Sequence, residues 1–249
     1  MSKVLIVVDS AVEATTTSLT TMATVSAIKS AITADINLTT TVEIITADYL
    51  EKDSWLQFGQ PDELIFCPLT LNLPDNLPFS STGIISACLD VLGLREQLAQ
   101  KLDIPVGDGC FWLPVVLTAK GPLYGEAIGL TTTIVGDKLP EDLSLSDISY
   151  YQPYNLSDVV RQPLYHMAHQ LLQLLSAPPA TYLVQFGLGN KEIWFDRVLP
   201  FPAAPALASV GVQKPDLFFC HWCCLRGLPV RDLQIIPSPT SIEIGHLRG

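Results

Sequence analysis

Charge is scarce in this chain. Asp, Glu, Lys and Arg make up 16% of its 249 residues against 48% hydrophobic side chains, and mean hydropathy is +0.34. The basic share is the smaller one: 14 Lys and Arg stand against 25 Asp and Glu, a formal net charge of −11. Nucleic-acid phosphates and anionic lipid surfaces both demand a basic stripe, so neither partner is expected. A membrane-spanning run is missing as well. The longest uncharged stretch, residues 162–190, is interrupted by Pro163, Pro178, Pro179 and several glutamines, so it cannot form one spanning helix. The N-terminus, MSKVLIVVDS, has no basic–apolar–small pattern and runs straight into a strand, so no signal peptide is expected. Without one, the six cysteines (67, 88, 110, 220, 223 and 224) are expected as reduced thiols, which places the protein in the cytoplasm. No Gly-x-Ser-x-Gly elbow, internal repeat or low-complexity linker occurs. The nearest phosphate-cradle pattern, Gly121-x-x-x-Gly125, continues with Glu126 where a lysine would stand.

The chain is long enough to bury a real core, and what is present reads as α/β. Residues 3–9, KVLIVVD, form a continuous apolar run, as expected of a strand covered on both faces. Residues 12–34 carry Leu19, Met22, Val25, Ile28 and Ile32 at spacings of three and four, predicting an amphipathic helix. Strands are predicted over 41–47 and 63–67, with a short helical turn near Trp55 between them. This order opens a parallel sheet. Helices follow from about Ile84, capped by Ser80, Ser81 or Thr82, and over 94–102. Strands are predicted over 111–117 and 127–134, separated by the turn-forming AKGPLYGE. Residues 136–158, acidic and serine-rich, read as a surface loop. A helix spans 159–176, with Val160, Leu164, Met167, Leu171, Leu174 and Leu175 on one side, and a last one is expected over 215–226.

Between those helices lies the stretch that organises the chain, residues 181–202, TYLVQFGLGNKEIWFDRVLPFP. Tyr182, Val184 and Phe186 alternate in one strand and Ile193, Phe195 and Arg197 in the next, with Gly187, Gly189 and Asn190 supplying the connection. Pro200, Pro202 and Pro205 then fix an extended path suited to holding side chains over a site.

Several constellations admit two readings. Cys220-His221-Trp222-Cys223-Cys224 with His166 and His169 is a conceivable zinc set, or else small apolar thiols on a buried helix. His166 and His169 also suit acid–base work, or simple exposure. Asp9-Ser10 ends the first strand, where α/β folds place ligands. Trp55, Phe58, Trp194 and Trp222 line a pocket or fill a core.

The order of parts and several stretches resemble the ATP-grasp superfamily of carboxylate–amine and carboxylate–thiol ligases. LPFSSTGIISACLD (77–90), followed by LREQLAQKLDIPV (94–106), resembles the junction of D-alanine–D-alanine-ligase-like proteins. LPVVLTAKGPLYG (113–125) resembles the strand–turn–strand that covers ATP phosphates. IWFDRVLPFPAAPA (193–206) and VQKPDLFFCHWCCLRGLPV (212–230) resemble the end of the PurK-type ligases. The resemblance implies a Rossmann-like pre-ATP-grasp-like domain over 1–106 and an α+β ATP-grasp-like part over 107–249. It also implies Mg-ATP as cofactor, held by a Glu-x-Asn before Pro-x-Pro. Arg197 and Leu199 stand at those two positions, and a guanidinium repels magnesium. The phosphate-contacting lysine falls on Thr118, with Lys120 two residues on, and the stretch after Val106 is short for a complete nucleotide-binding subdomain.

The expectation is therefore a shortened, catalytically degenerate relative, with no catalytic residue, metal site or cofactor assigned. It acts by binding a protein partner, its own second copy or a small anionic ligand, through Lys120, Gly121, Gly125, Asp196 and Arg197. The alternative is an active ATP-dependent ligase with a rearranged Mg-ATP site, using Lys120 and Arg197 on phosphate or carboxylate and Glu126, Glu192 or Asp196 on Mg²⁺.

Overall fold

A computed structural model describes residues 2–9, 16–35, 40–74, 77, 82–132, 148–189 and 192–237. Its first layer is a parallel sheet of β1 (Ser2–Val8), β2 (Thr40–Thr46) and β3 (Leu64–Pro68) in the order β2-β1-β3. The unbroken apolar run of β1 has a physical reason: Val4, Leu5, Ile6 and Val7 are all sealed, because both faces of the sheet are covered. Leu5 and Val7 pack on Leu50 and Trp55 of the 3₁₀ segment Ala47–Phe58. Val4 and Ile6 face α1 (Thr16–Thr33). Val25, Ile28 and Ile32 of the stripe are buried as the spacing predicts. Met22, expected in that stripe, is instead 64% exposed and lines an open apolar groove with Ile44 of β2.

The second unit is a six-stranded antiparallel sheet in the order β7-β6-β4-β8-β9, with β5 folded back on β4. Its strands are β4 (Phe111–Thr118), β5 (Gly121–Tyr124), β6 (Ala127–Thr132), β7 (Ile148–Tyr154), β8 (Ala180–Gly189) and β9 (Glu192–Leu199). One face is covered by α2 (Thr82–Leu89), α3 (Val91–Leu102) and α4 (Asp158–Leu174), around Leu98, Leu113, Leu164, Tyr182, Phe186 and Phe195. The other carries α5 (Leu217–Leu225), whose Phe218 and Trp222 meet Trp112, Val116 and Leu183 of the sheet and Ile28 of α1. A single apolar layer thus joins the parallel sheet to the antiparallel one. Trp222 Nε1 adds a 3.2 Å hydrogen bond to Asp35 just beyond α1. A two-stranded ribbon, β10 (Gln213–Lys214) with β11 (Gln234–Ile235), closes the described chain.

Three differences from the sequence reading are instructive. The loop expected over 136–158 contains β7, which pairs with β6 from Thr132↔Ile148 to Ala127↔Tyr154. Its acidic, serine-rich surroundings hide this strand, and Pro153 is tolerated in it because β7 lies at the sheet's edge. AKGPLYGE is more than a turn, since β5 pairs with β4 through it. The proline-rich segment after β9 is a packing element. Phe201, Pro202 and Ala206 are buried in it, and Ser209 Oγ accepts the N–H of Leu217 at 3.0 Å, seating the start of α5. The caps proposed at Ser80 and Ser81, together with Ser10 and Asn190, lie outside the described residues.

Candidate functional site

Asp196 and Arg197 lie on β9, where the resemblance places the metal ligands. In the β8–β9 pairing Gln185 stands opposite Arg197, so an amide faces a guanidinium and neither supplies an anionic oxygen. Asp196, the carboxylate nearest to them, is 3% exposed and wholly engaged. Its Oδ1 accepts from Arg95 Nη2 at 2.6 Å and from Arg197 Nε at 3.1 Å, and its Oδ2 accepts the N–H of Gly109 at 2.9 Å.

Arg95, from α3, is the centre of this cluster. Its Nε donates to the carbonyl of Asp196 (2.9 Å), and its Nη2 also reaches Asp108 Oδ1 (2.8 Å) and the carbonyl of Gly107 (3.2 Å). The hydrogen bond to Asp108 is the largest influence raising its pKa, and Asp196 raises it further. Four donor–acceptor contacts on one guanidinium pin α3, β9 and the 105–110 segment together. That segment is laid on the sheet end like an extra strand. Phe195 N–H donates to the Pro105 carbonyl (2.8 Å), Gly107 N–H to that of Phe195 (2.9 Å), and Gln185 Nε2 to that of Gly109 (2.5 Å). Glycine at 109 permits it: a Cβ there would stand 2.1 Å from the Phe186 carbonyl carbon. Trp194 lies across Gly187 and donates from Nε1 to the Asp108 carbonyl at 2.6 Å.

The other candidates lie elsewhere. Through Gln185, paired with Trp112, Arg197 is level with the start of β4, whereas Lys120 follows the end of that strand. At 3.4 Å per residue the two are about 20 Å apart along the sheet. Lys120 and Gly121 (φ +124°) form the β4–β5 turn, closed by Thr118 Oγ1, which accepts from Lys120 N–H (3.1 Å) and donates to the Gly121 carbonyl (2.9 Å). Gly125 is buried and donates to the Pro114 carbonyl at 2.9 Å, with Pro114 and Gln213 so close that its lack of a side chain serves packing. The stretch 113–125, expected to cover phosphates, forms the strand–turn–strand read from the sequence: β5 folds back on β4, which lies between β6 and β8 with Val115 and Val116 sealed.

The acids invoked for Mg²⁺ do not converge. Glu126 pairs with Arg161 (3.3 Å), Glu192 is exposed at the start of β9, and Asp196 is the buried partner of Arg95. Among the described residues no three His, Cys, Asp or Glu side chains gather as a metal set. The zinc reading fails on topology. His166 and His169 are exposed on α4, while Cys220, Cys223 and Cys224 sit on α5 across the sheet. Burial pushes the thiols of Cys223 and Cys224 up to about 11 and about 12, so they are neutral packing groups. His221 is buried with Nδ1 accepting the Thr181 N–H at 3.2 Å, and burial lowers its pKa to about 3. Asp9 accepts from Asn72 Nδ2 (2.9 Å) and from Thr70 Oγ1, and thereby ties the ends of β1 and β3. Trp55 and Trp222 are core residues.

The sequence reading missed Arg95, Asp108 and Gln185. Only Gln185 carried a local signal, as the one long polar side chain in the apolar run of β8.

No family profile matches the chain. Over 100 residues, 40% of its length, it is 24% identical to the formate-dependent phosphoribosylglycinamide formyltransferases of Burkholderia lata and Burkholderia cenocepacia. The match spans about a quarter of those relatives, 24% of each. Solved structures are similar over nearly the whole chain. Glycinamide-RNase-transformylase T from Mycobacterium tuberculosis shares 15% identity at a TM-score of 0.67, covering 94% of this chain and 82% of its own. N5-carboxyaminoimidazole synthetase from Staphylococcus aureus, complexed with ADP, shares 11% at 0.67, covering 94% and 80%. A protein from Archaeoglobus fulgidus assigned to the ATP-grasp superfamily shares 10% at 0.64, covering 94% and 91%. The chain shares the fold of these structures, a parallel-sheet unit followed by an antiparallel one.

Among the described residues no helix is long and apolar enough to cross a membrane.

Proposed function

We propose that this chain is a catalytically degenerate ATP-grasp protein that acts by binding, its ligand being a protein partner or a small anion. One observation carries the reading: the β8–β9 end of the sheet is closed from within. Asp196 is committed to Arg95 and the Gly109 N–H, Gln185 is committed to the Gly109 carbonyl, and Arg197 projects a positive charge where a magnesium ligand is needed. Magnesium that bridges phosphates needs hard oxygen donors, an anionic carboxylate among them. Arg197 offers no oxygen, and the one carboxylate beside it, Asp196, is already paired.

The test is turnover. Purified protein with Mg-ATP and a panel of carboxylic acids, amines and bicarbonate is expected to release no ADP above the buffer rate. Sustained release that disappears in the Arg197→Ala variant would establish the ligase reading instead.

A further inference from the structure

The far end of the antiparallel sheet, about 20 Å along it from Arg197, holds a cavity lined in part by Lys120 and Gly121. It has a volume of about 690 Å³ and lies between the β4–β5 turn and the 227–231 segment that follows α5. That size falls within the usual range for small-molecule sites. Its walls are mainly apolar and stiff: Pro122, Leu123, Pro179, Leu228 and Pro229 contribute to them. Three of these are prolines, which offer no N–H and have a fixed φ.

Its charge is one-sided. Lys120 and Arg231 both line it, and no Asp or Glu does. In a chain of net charge −11 such a pairing is conspicuous, and among the described residues neither cation makes an ion pair. Asp232, next to Arg231, is occupied on its own side by the Leu233 N–H (2.8 Å) and Gln234 Nε2 (2.9 Å). The other polar side chains of the wall, Thr118 and Cys224, are already engaged. Thr118 Oγ1 closes the β4–β5 turn, and Cys224 donates to the Leu117 carbonyl with its thiol kept neutral by burial. The 227–231 segment is held in place as well. Gly227 turns at φ +64°, and Leu228 N–H donates to the Cys223 carbonyl at 2.8 Å.

We propose that this cavity binds a small organic anion: a carboxylate or phosphate monoester whose charged head meets Lys120 and Arg231 while its apolar body lies on the prolines. Two free cations beside apolar walls select such a molecule over an inorganic ion, which fills none of the apolar surface, and over a neutral one, which leaves both charges unanswered. The proposal deepens the binding half of the functional reading and is independent of the loss of catalysis, since Arg197 lies about 20 Å away along the sheet.

Ligand-observed NMR and calorimetry with 4-phenylbutyrate, phenyl phosphate, 4-phenylbutan-1-ol and inorganic phosphate test it on the whole chain. One or both organic anions should bind, with the alcohol and inorganic phosphate at least about tenfold weaker. The favoured head group tells carboxylate from phosphate. The Lys120→Gln/Arg231→Gln double variant should weaken binding at least about tenfold, and Arg197→Ala should leave it unchanged. Both cations are exposed, so the double variant is expected to fold, which circular dichroism and its thermal midpoint verify. Failure of both anions to bind at 10 mM (~100-fold above a 0.1 mM Kd) overturns the cavity proposal and leaves the protein-partner reading standing. Equal binding of the alcohol, or no loss in the double variant, overturns it too. Loss on Arg197→Ala alone moves anion binding to the other end of the sheet.

Discussion

Replacing Asp196 with alanine is expected to lower the free energy of unfolding by about 3–5 kcal/mol, the usual cost of leaving one partner of a buried ion pair alone. Asp196 is 3% exposed and the Arg95 side chain 17%, so neither charge has much solvent to fall back on. The substitution also orphans the Gly109 N–H, and the 105–110 segment loses its tie to β9. Urea unfolding followed by tryptophan fluorescence measures it. The companion variant Asp196→Leu/Arg95→Met removes both charges and should recover most of the loss, since an apolar pair of similar volume carries no desolvation penalty. Arg197→Ala, whose partner keeps Arg95 and whose own side chain is 47% exposed, should cost less than about 1 kcal/mol. A loss below about 1 kcal/mol for Asp196→Ala would mean that this pair does not close the site.

Acid should destabilise the fold through His221. Its folded pKa is lowered by burial to about 3, from 6.5 in the unfolded chain. Between those values the unfolded chain binds a proton that the folded one does not, so stability falls as pH drops from 6.5 towards 3. The full contribution is on the order of 5 kcal/mol. Carboxylates titrate in the same window, so the informative quantity is the difference between the native protein and His221→Asn, which keeps an acceptor for the Thr181 N–H. Unfolding free energies at pH 7, 6, 5 and 4 should show the variant with the flatter profile. Parallel profiles would place the His221 ring in contact with solvent.

Periodicity made much of the fold legible because burial in this chain follows the local pattern. The apolar run at 3–9 became the doubly covered β1, and the alternation around Tyr182 and Phe195 became the β8–β9 pair. The pattern failed where the exception was topological. Residues 136–158 read as an acidic, serine-rich loop until β7 is seen paired with β6 at the sheet's edge. The site was legible only in its negatives. Arg197 in place of a metal ligand is visible in the sequence, but the partner that occupies Asp196 comes from α3, 101 residues earlier. Long-range ion pairs leave no local signature. The two ends of β4 could not be told apart either, so Lys120 and Arg197, adjacent in the sequence argument, belong to different places. His221 shows the same limit. Its position in a cysteine cluster suggests metal chemistry, and only the sheet between α4 and α5 excludes the ligand set.

Calorimetric titration with Mg-ATP and Mg-ADP, beside Arg197→Ala, tests whether the β8–β9 end can hold a magnesium nucleotide. No heat of binding is expected from either nucleotide at millimolar concentration. Micromolar binding by the native protein, weakened in the variant, would contradict the account and return Arg197 to a phosphate-binding role.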